Sequence, residues 1–170
     1  MKVIIIGGVA GGASAAARLR RLDEQAEIIL VERGESISYA NCGLPYHLGN
    51  VIPDRNDLLV MTPEKFNARF RVDVRTRCEA VSIDRVNKKI ILRDLVSGSE
   101  VSETYDKLIL STGSSPAPVS IPGADHPGVF HLWTLADMDK LEAHIRNGAE
   151  KVLVIGGGFV GLELAENLNE

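Results

Sequence analysis

The residue of this chain best suited to redox chemistry is Cys42, which lies in the segment Ser38 to Tyr46, with the sequence SYANCGLPY. Asn41 is a good N-cap and Pro45 is tolerated in a first helical turn, so the pattern predicts that Cys42 lies at a helix N-terminus. Free N–H groups and the positive end of a helix dipole favour the thiolate, the reactive form of cysteine. A lone cysteine is otherwise most often a small buried hydrophobic residue, and the segment alone leaves both interpretations open.

The composition excludes several other kinds of site and partner. Cys78 is too far from Cys42 for a CxxC pair or a metal-ligand pair, which predicts a reducing compartment and no metal site. The formal net charge of -4 predicts no broad basic surface for nucleic acid. The chain lacks the pattern of a signal peptide, and no segment approaches the ~20 apolar residues of a membrane span. We therefore expect a cytoplasmic protein with no membrane or nucleic-acid partner.

The opening of the chain has the pattern of a nucleotide-binding unit. A β-branched run at Val3 to Ile6 is followed by a glycine turn, a helix from Ala13 to Leu22 and a second apolar run from Glu27. This order is the βαβ unit of a parallel, doubly wound sheet. Glu32 follows the turn by the distance at which an acid accepts hydrogen bonds from an adenosine ribose.

The glycine turn departs from the usual fingerprint at one position. Its residues are Gly7, Gly8, Val9, Ala10, Gly11 and Gly12, so that Val9 replaces the middle glycine of G-x-G-x-x-G. That glycine normally lets the backbone approach the pyrophosphate, and Val9 therefore requires a slightly different path, helped by Gly8 and Gly11. The pyrophosphate is expected at the helix N-terminus beside Gly11 and Gly12.

The middle of the chain alternates short elements. Thr62 as N-cap and Pro63 predict a helix to about Phe70, followed by strands at 72–75, 79–84, 89–94 and 101–105, with a turn at 96–99 joining the last two as a hairpin. Residues 107–110 predict another buried strand. The fold class is therefore α/β, a Rossmann-like domain with an inserted antiparallel hairpin or meander.

The C-terminal part repeats the opening pattern. Four prolines between 116 and 127 indicate a linker, and Thr134 or Asp137 begins a helix that runs to about Arg146. Residues 151–155 then predict a strand, and a complete fingerprint follows with glycines at Gly156, Gly158 and Gly161. A second βαβ unit needs ~30 residues, so we expect a longer protein in which this second domain continues. The predicted domains are 1–115, a linker at 116–130, and the start of a second dinucleotide domain at 131–170.

Two dinucleotide motifs and one reactive thiol together suggest an electron relay from a nicotinamide through a flavin to sulfur. The motifs Gly7–Ser14, Ser38–Tyr46 and Tyr105–Gly113 resemble the single-cysteine branch of the pyridine nucleotide-disulfide oxidoreductases. That branch contains coenzyme A-disulfide reductases, NADH-dependent persulfide reductases and NADH oxidases or peroxidases. Val9 is normal for this branch. The resemblance implies FAD and NAD(P)H as cofactors, and a homodimer.

The resemblance also implies roles for individual residues. Cys42 would face the flavin. The remaining cofactor contacts would be made by Gly7 to Gly12, Glu32, Arg33, Val81, Thr112 and Gly113 for FAD, and by Gly156, Gly158 and Gly161 for NAD(P)H. The channel for a coenzyme A-type thiol would be lined by Ser14, Arg18, Arg21, Ser38 and Asn41. One departure is that relatives have a substrate-binding lysine where this chain has Phe70, flanked by Arg69 and Arg71.

The leading hypothesis is reduction of coenzyme A disulfide, persulfide or polysulfide by NAD(P)H through FAD and Cys42. An alternative is an NADH oxidase or peroxidase in which Cys42 cycles through a sulfenic acid. A third interpretation is that these 170 residues alone form a nucleotide-binding module without catalysis.

Overall fold

The computed structural model describes residues 1–169, which form two compact units. The first unit comprises Met1–Tyr39 and Leu59–Gly113, and the second comprises Ala40–Leu58 and the described residues from Ser114 onward. The helices and strands in chain order are β1 (Lys2–Ile6), α1 (Ala10–Leu22), β2 (Glu27–Val31), α2 (Leu44–Leu48), α3 (Pro63–Phe70), β3 (Asp73–Arg75), β4 (Cys78–Asp84), β5 (Lys89–Asp94), β6 (Glu100–Thr104), β7 (Lys107–Leu110), α4 (Leu135–Arg146) and α5 (Phe159–Leu168).

The first unit is built on a parallel sheet with the strand order β3-β2-β1-β7. Successive residues of a strand point to opposite faces, so Val3 and Ile5 of β1 face one layer and Ile4 faces the other. Helices α1 and α3 contribute Ala13, Ala16 and Phe66 to the first layer. The sheet β4-β5-β6 contributes Ile90 and Leu92 to the second.

The predicted α/β class and the parallel βαβ unit are confirmed. The predicted hairpin is also confirmed, as β5 and β6 pair in antiparallel register and β4 completes a three-stranded sheet. The predicted strand at residues 107–110 forms, but the prediction that it is buried is wrong. Strand β7 lies at the sheet edge, and the side chain of Leu110 is 62% exposed.

The second unit, as far as the structure describes it, contains α2, α4, α5 and two short 3-10 turns at Asn41–Gly43 and Arg55–Leu58. The start of α4 is fixed by a capping box, in which Thr134 accepts from the Asp137 N–H and the Asp137 carboxylate accepts from Thr134. The predicted strand at residues 151–155 is wrong, because this segment has no strand conformation. A strand requires a hydrogen-bonded neighbour, and the described residues provide none there.

Candidate active site

The first glycine turn is held by contacts that only glycine permits. Gly7 has φ +100°, in the region that favours glycine, and a Cβ there would overlap the Ser111 carbonyl oxygen. A Cβ on Gly12 would overlap the carbonyl oxygen of Gly7. The turn therefore brings α1 down directly onto the end of β1, with Val9 at the N-cap position.

Glu32 ties this turn to the end of β2. One of its carboxylate oxygens accepts from the Gly8 N–H at 2.7 Å, and the other accepts from the Gly34 N–H at 2.7 Å. The carboxylate thus lies beside the turn, at the place predicted for contact with an adenosine ribose.

The start of α1 is suited to bind an anion. Val9 makes no capping hydrogen bond through its side chain, and the first turn of this 13-residue helix carries no acidic residue. The first N–H groups of a helix have no partner within the helix, and the positive end of the helix dipole favours phosphate. Together with the close approach of α1 to the turn that Gly11 and Gly12 permit, these N–H groups fit the diphosphate of FAD.

The other predicted FAD contacts are in the same unit, and their roles remain predictions. Arg33 is exposed and lies 3.8 Å from the Glu79 carboxylate. Val81 is at a bulge in β4, where the register passes from Ala80 to Ser82 and gives Val81 no residue opposite. Thr112 and Gly113 follow β7 and are exposed.

Three residues predicted to bind substrate share one exposed face of α1. Ser14, Arg18 and Arg21 are spaced by four and three residues, which places them on one side of a helix, and all three are exposed. The structure therefore brings together a hydroxyl and two cations. Two arginine guanidinium groups on one face can bind phosphate groups in a forked geometry.

Arg20, between these two arginines, has a different role. It is 8% exposed, and its guanidinium donates to the carbonyls of Phe70 (2.7 Å), Arg71 (2.8 Å), Asp23 (3.2 Å) and Glu24 (2.8 Å). Sequence reasoning did not separate it from its neighbours. A signal was present, because Arg20 falls at helical spacing from the buried Ala13 and Ala16.

Ser38, another predicted substrate residue, has a constrained backbone in the same unit. Its φ is +47°, its N–H donates to the Gly8 carbonyl at 3.0 Å, and its carbonyl accepts from Met61. These bonds connect Ser38 to the glycine turn. Both bonds use backbone atoms of Ser38, and its side chain is partly exposed.

Cys42 lies in the second unit, in the 3-10 turn Asn41–Gly43 that leads directly into α2, and it is exposed. The prediction that Asn41 is a helix N-cap is wrong, because the N-cap of the 3-10 turn is Ala40 and that of α2 is Gly43, with no side-chain capping bond at either. Cys42 precedes a helix of five residues and is not at the start of a long one. The helix dipole therefore adds little to its reactivity. Pro45 does lie in the first turn of α2, as predicted.

Cys78 is buried in the first unit, in the layer formed by the antiparallel sheet. Burial raises the pKa of the Cys78 thiol, although the nearby Arg75 acts in the opposite direction. A thiol that is both buried and protonated is a poor nucleophile. Of the two cysteines in the chain, only Cys42 is therefore placed to react with a substrate in solution.

The second glycine turn repeats the geometry of the first. Gly156 has φ +117°, Gly158 is the N-cap of α5, and a Cβ on Gly161 would overlap the Gly156 carbonyl oxygen. This is the same contact that Gly12 makes with Gly7. The three glycines assigned to NAD(P)H thus form the backbone turn of a dinucleotide-binding motif.

The parallel sheet, the Glu32 carboxylate and the two matching glycine turns define an α/β dinucleotide-binding protein with an exposed thiol. The model of the pyridine nucleotide-disulphide oxidoreductase family matches residues 1–170. The chain belongs to this family, as predicted, and membership supports FAD and NAD(P)H as the cofactors.

The similarity to individual relatives is consistent with this family assignment. The chain is 41% identical over 170 residues to a coenzyme A disulfide reductase of Staphylococcus aureus (strain NCTC 8325 / PS 47), with 99% of this chain and 38% of the relative covered. The chain thus spans well under half the length of the curated relatives that it matches.

Solved structures are similar over 99% of this chain. They include reduced CoADR-RHD of Bacillus anthracis (48% identity, TM-score 0.96, 30% of that chain covered). The NAD-dependent persulfide reductase of A. fulgidus has 39% identity and a TM-score of 0.95, with 31% covered. The water-forming NADH oxidase of Lactobacillus brevis has 30% identity and a TM-score of 0.92, with 37% covered.

Two further observations concern residues 1–169. Their histidine, cysteine and acidic side chains form no group of three or more that could hold a metal ion. Among their helices, none combines the length and the apolar character needed to cross a membrane.

Proposed function

We propose that the whole protein is an FAD-dependent NAD(P)H oxidoreductase that reduces coenzyme A disulfide or a coenzyme A persulfide or polysulfide through Cys42. The observation that carries this proposal is the exposed thiol of Cys42 in the Asn-Cys-Gly-Leu-Pro-Tyr segment, while Cys78 is buried. The similarity to a coenzyme A disulfide reductase and to a persulfide reductase supports this choice of substrates.

The proposed chemistry requires one thiol from the protein and one from the substrate. The Cys42 thiolate attacks one sulfur of coenzyme A disulfide, a Cys42–coenzyme A mixed disulfide forms, and one coenzyme A thiolate leaves. Two electrons and a proton then cleave the mixed disulfide, which restores the Cys42 thiolate and releases the second coenzyme A thiol. Bound FAD would supply these electrons from NAD(P)H. One NAD(P)H and one proton are consumed for each disulfide.

We assign the cofactor and substrate contacts to the residues that the resemblance indicates. The glycine turn and Glu32 would bind the FAD diphosphate and ribose, while Arg33, Val81, Thr112 and Gly113 would add the contacts that the resemblance assigns to them. The exposed face of α1, with Ser14, Arg18 and Arg21, would bind phosphates of coenzyme A, and Ser38 and Asn41 would line the same channel. Gly156, Gly158 and Gly161 would belong to the NAD(P)H site.

The domain boundaries at 115 and 130, a homodimer and a cytoplasmic location are part of the same proposal. Sedimentation of the FAD-loaded, full-length protein would test the dimer. A monomer at all protein concentrations would refute it.

The central test is a substitution of Cys42 in the full-length protein. Cys42→Ser should abolish the oxidation of NAD(P)H that depends on coenzyme A disulfide, because a serine hydroxyl cannot form the mixed disulfide. FAD content should be unchanged. Cys78→Ser is the matched control, and it should keep the activity. Turnover of coenzyme A disulfide by Cys42→Ser at the wild-type rate would refute the mechanism.

A second candidate is an NADH oxidase or peroxidase, favoured by the similarity to the water-forming NADH oxidase. In that reaction the Cys42 thiolate attacks one oxygen of peroxide, the O–O bond breaks to leave a sulfenic acid, and the departing hydroxide takes a proton from solvent to become water. Parallel assays with coenzyme A disulfide, coenzyme A persulfide, peroxide and oxygen distinguish the candidates by kcat/KM. A preference for peroxide or oxygen over both coenzyme A substrates would refute the leading proposal.

Residues 1–170 alone could instead be a binding module without catalysis. Flavin absorbance of this chain, measured before and after addition of NADH, tests that alternative. Flavin that binds but is not reduced would indicate a module, whereas bleaching of the bound flavin would indicate that hydride transfer is retained.

A further inference from the structure

Helix α2 is too short to determine the position of the cysteine turn by itself. It contains only Leu44–Leu48 and follows directly after the turn Asn41–Gly43. Isolated helices shorter than ~12 residues are marginal in water, so a helix of this length depends on contacts with its neighbours. The side chains that hold α2 therefore also set the position of Cys42.

His47 is the buried polar residue of α2. Its side chain is 5% exposed, and both ring nitrogens face an oxygen. Nδ1 lies 2.6 Å from the Ile52 carbonyl oxygen, which follows α2 in the chain. Nε2 lies 3.5 Å from a carboxylate oxygen of Glu142 on α4. His47 thus connects α2 both to the loop that follows it and to a second helix.

The same surface of α4 holds this loop at a second point. Arg55 donates from Nε and Nη2 to the two carboxylate oxygens of Asp139, at 2.6 and 2.8 Å. Two contacts from α4, one to α2 and one to the 3-10 turn after it, restrict the whole segment. Gly43, in the cysteine turn itself, packs so closely on Leu58 that a Cβ would overlap the leucine side chain.

We propose that His47 is a positioning residue for Cys42. Its Nδ1 bond holds α2 against the loop at Ile52, its Nε2 packs beside Glu142 of α4, and α2 in turn fixes the turn that presents the thiol. The proposal rests on the proposed function of Cys42. Since the His47 ring is almost fully buried and directed at Ile52 and Glu142, it acts through the backbone and is not assigned any contact with substrate.

Two substitutions separate the contacts of the ring. An asparagine amide can donate from nearly the position of Nδ1, so His47→Asn should keep the bond to Ile52. A glutamine amide reaches nearer to Nε2, and His47→Gln should lose that bond. Displacement of a reacting group by about 1 Å can cost about a hundredfold in rate. We expect His47→Gln to lower kcat for coenzyme A disulfide by about tenfold or more, and His47→Asn to recover most of it.

The measurements use the FAD-loaded, full-length protein. Besides kcat, the rate of alkylation of Cys42 by iodoacetamide should change in His47→Gln, whereas KM for NAD(P)H should not. His131→Gln is the matched control, because His131 is exposed in the same unit, and it should leave both rates unchanged. If His47→Gln fails to bind FAD, Glu142→Leu takes its place, and it should lower kcat by about threefold or more.

Wild-type kcat and a wild-type rate of alkylation in His47→Gln, or in Glu142→Leu where that variant replaces it, would overturn the proposal. An equal loss of kcat in His47→Asn and His47→Gln would also contradict the assigned role of Nδ1. Failure of the proposed function is distinguishable, because it appears as turnover of coenzyme A disulfide by Cys42→Ser. The rate of alkylation in the His47 variants does not depend on that turnover.

Discussion

Replacement of Arg20 by methionine should destabilise the protein far more than the same replacement of Arg21. Arg20 makes four hydrogen bonds from its guanidinium to main-chain carbonyls, two at the end of α3 and two in the turn after α1. Methionine keeps the aliphatic stem and has no donor. Arg21 is exposed on the same helix, so the pair differs in burial and not in chemistry.

The expected loss in the free energy of unfolding follows from these four hydrogen bonds. A hydrogen bond to a charged group contributes ~1.5–3 kcal/mol. The four contributions do not add fully, because the freed carbonyls near the exposed Arg71 regain water. We therefore expect Arg20→Met to lower the free energy of unfolding by about 3–5 kcal/mol. Arg21→Met should change it by less than ~0.5 kcal/mol.

Urea denaturation of the purified protein, followed by far-UV circular dichroism, measures both values. Arg20→Lys provides an intermediate case, because lysine keeps the charge but has three donors and lacks the planar fork. A difference between Arg20→Met and Arg21→Met below ~1 kcal/mol would refute the reasoning. For substrate binding, Arg21 should matter more than Arg20. Arg21→Met should raise KM for coenzyme A disulfide, whereas Arg20→Lys should not.

Two other predictions concern titration and thiol chemistry. The hydrogen bond with Lys2 lowers the pKa of Glu103 and raises the pKa of Lys2. The contribution of Glu103 to stability is therefore complete above its ordinary pKa of 4.5 and is lost as the pH falls through the lowered value. Urea midpoints should show Glu103→Gln less stable than wild type at about pH 7, and the difference should shrink as the pH falls below the ordinary pKa of Glu103; a difference that stays constant with pH would contradict this. Separately, iodoacetamide at about pH 7 should label Cys42 and leave Cys78 unlabelled until the protein unfolds, which peptide mass spectrometry would show. Equal labelling of the two thiols in the native protein would contradict the assigned burial.

Local signals in the sequence predicted much of the fold. The N-caps Thr62 and Thr134 both accept the backbone hydrogen bonds expected of them, and each depends only on residues within one turn. The glycine turn at Gly7–Gly12 likewise depends on residues that are close in sequence. The predicted strand at residues 151–155 failed because strands depend on distant partners, and the apolar pattern alone does not supply one.

The same distinction between local signals and distant partners applies to the residues of the candidate site. Cys42 and the exposed face of α1 could be found from residue types and helical spacing. The positive φ of Ser38, the 3-10 turn at Asn41 and the contact of His47 with Glu142 arise from tertiary packing. For His47 one signal existed, because it lies three residues after the buried Leu44 on the same short helix. Its partner on α4 is far along the chain and left no trace in the local pattern.

The close contact between Gly12 and Gly7 recurs between Gly161 and Gly156, with the same separation along the chain. Before the first turn, β1 is paired on both sides, whereas the segment before the second turn forms no strand within the described residues. The helix nevertheless begins in the same way in both places. The close contact between these glycines is therefore encoded by a few neighbouring residues and does not require a complete sheet. Contacts over such short separations close much faster than strands pair, so we expect each glycine turn to form early in folding, before the sheet.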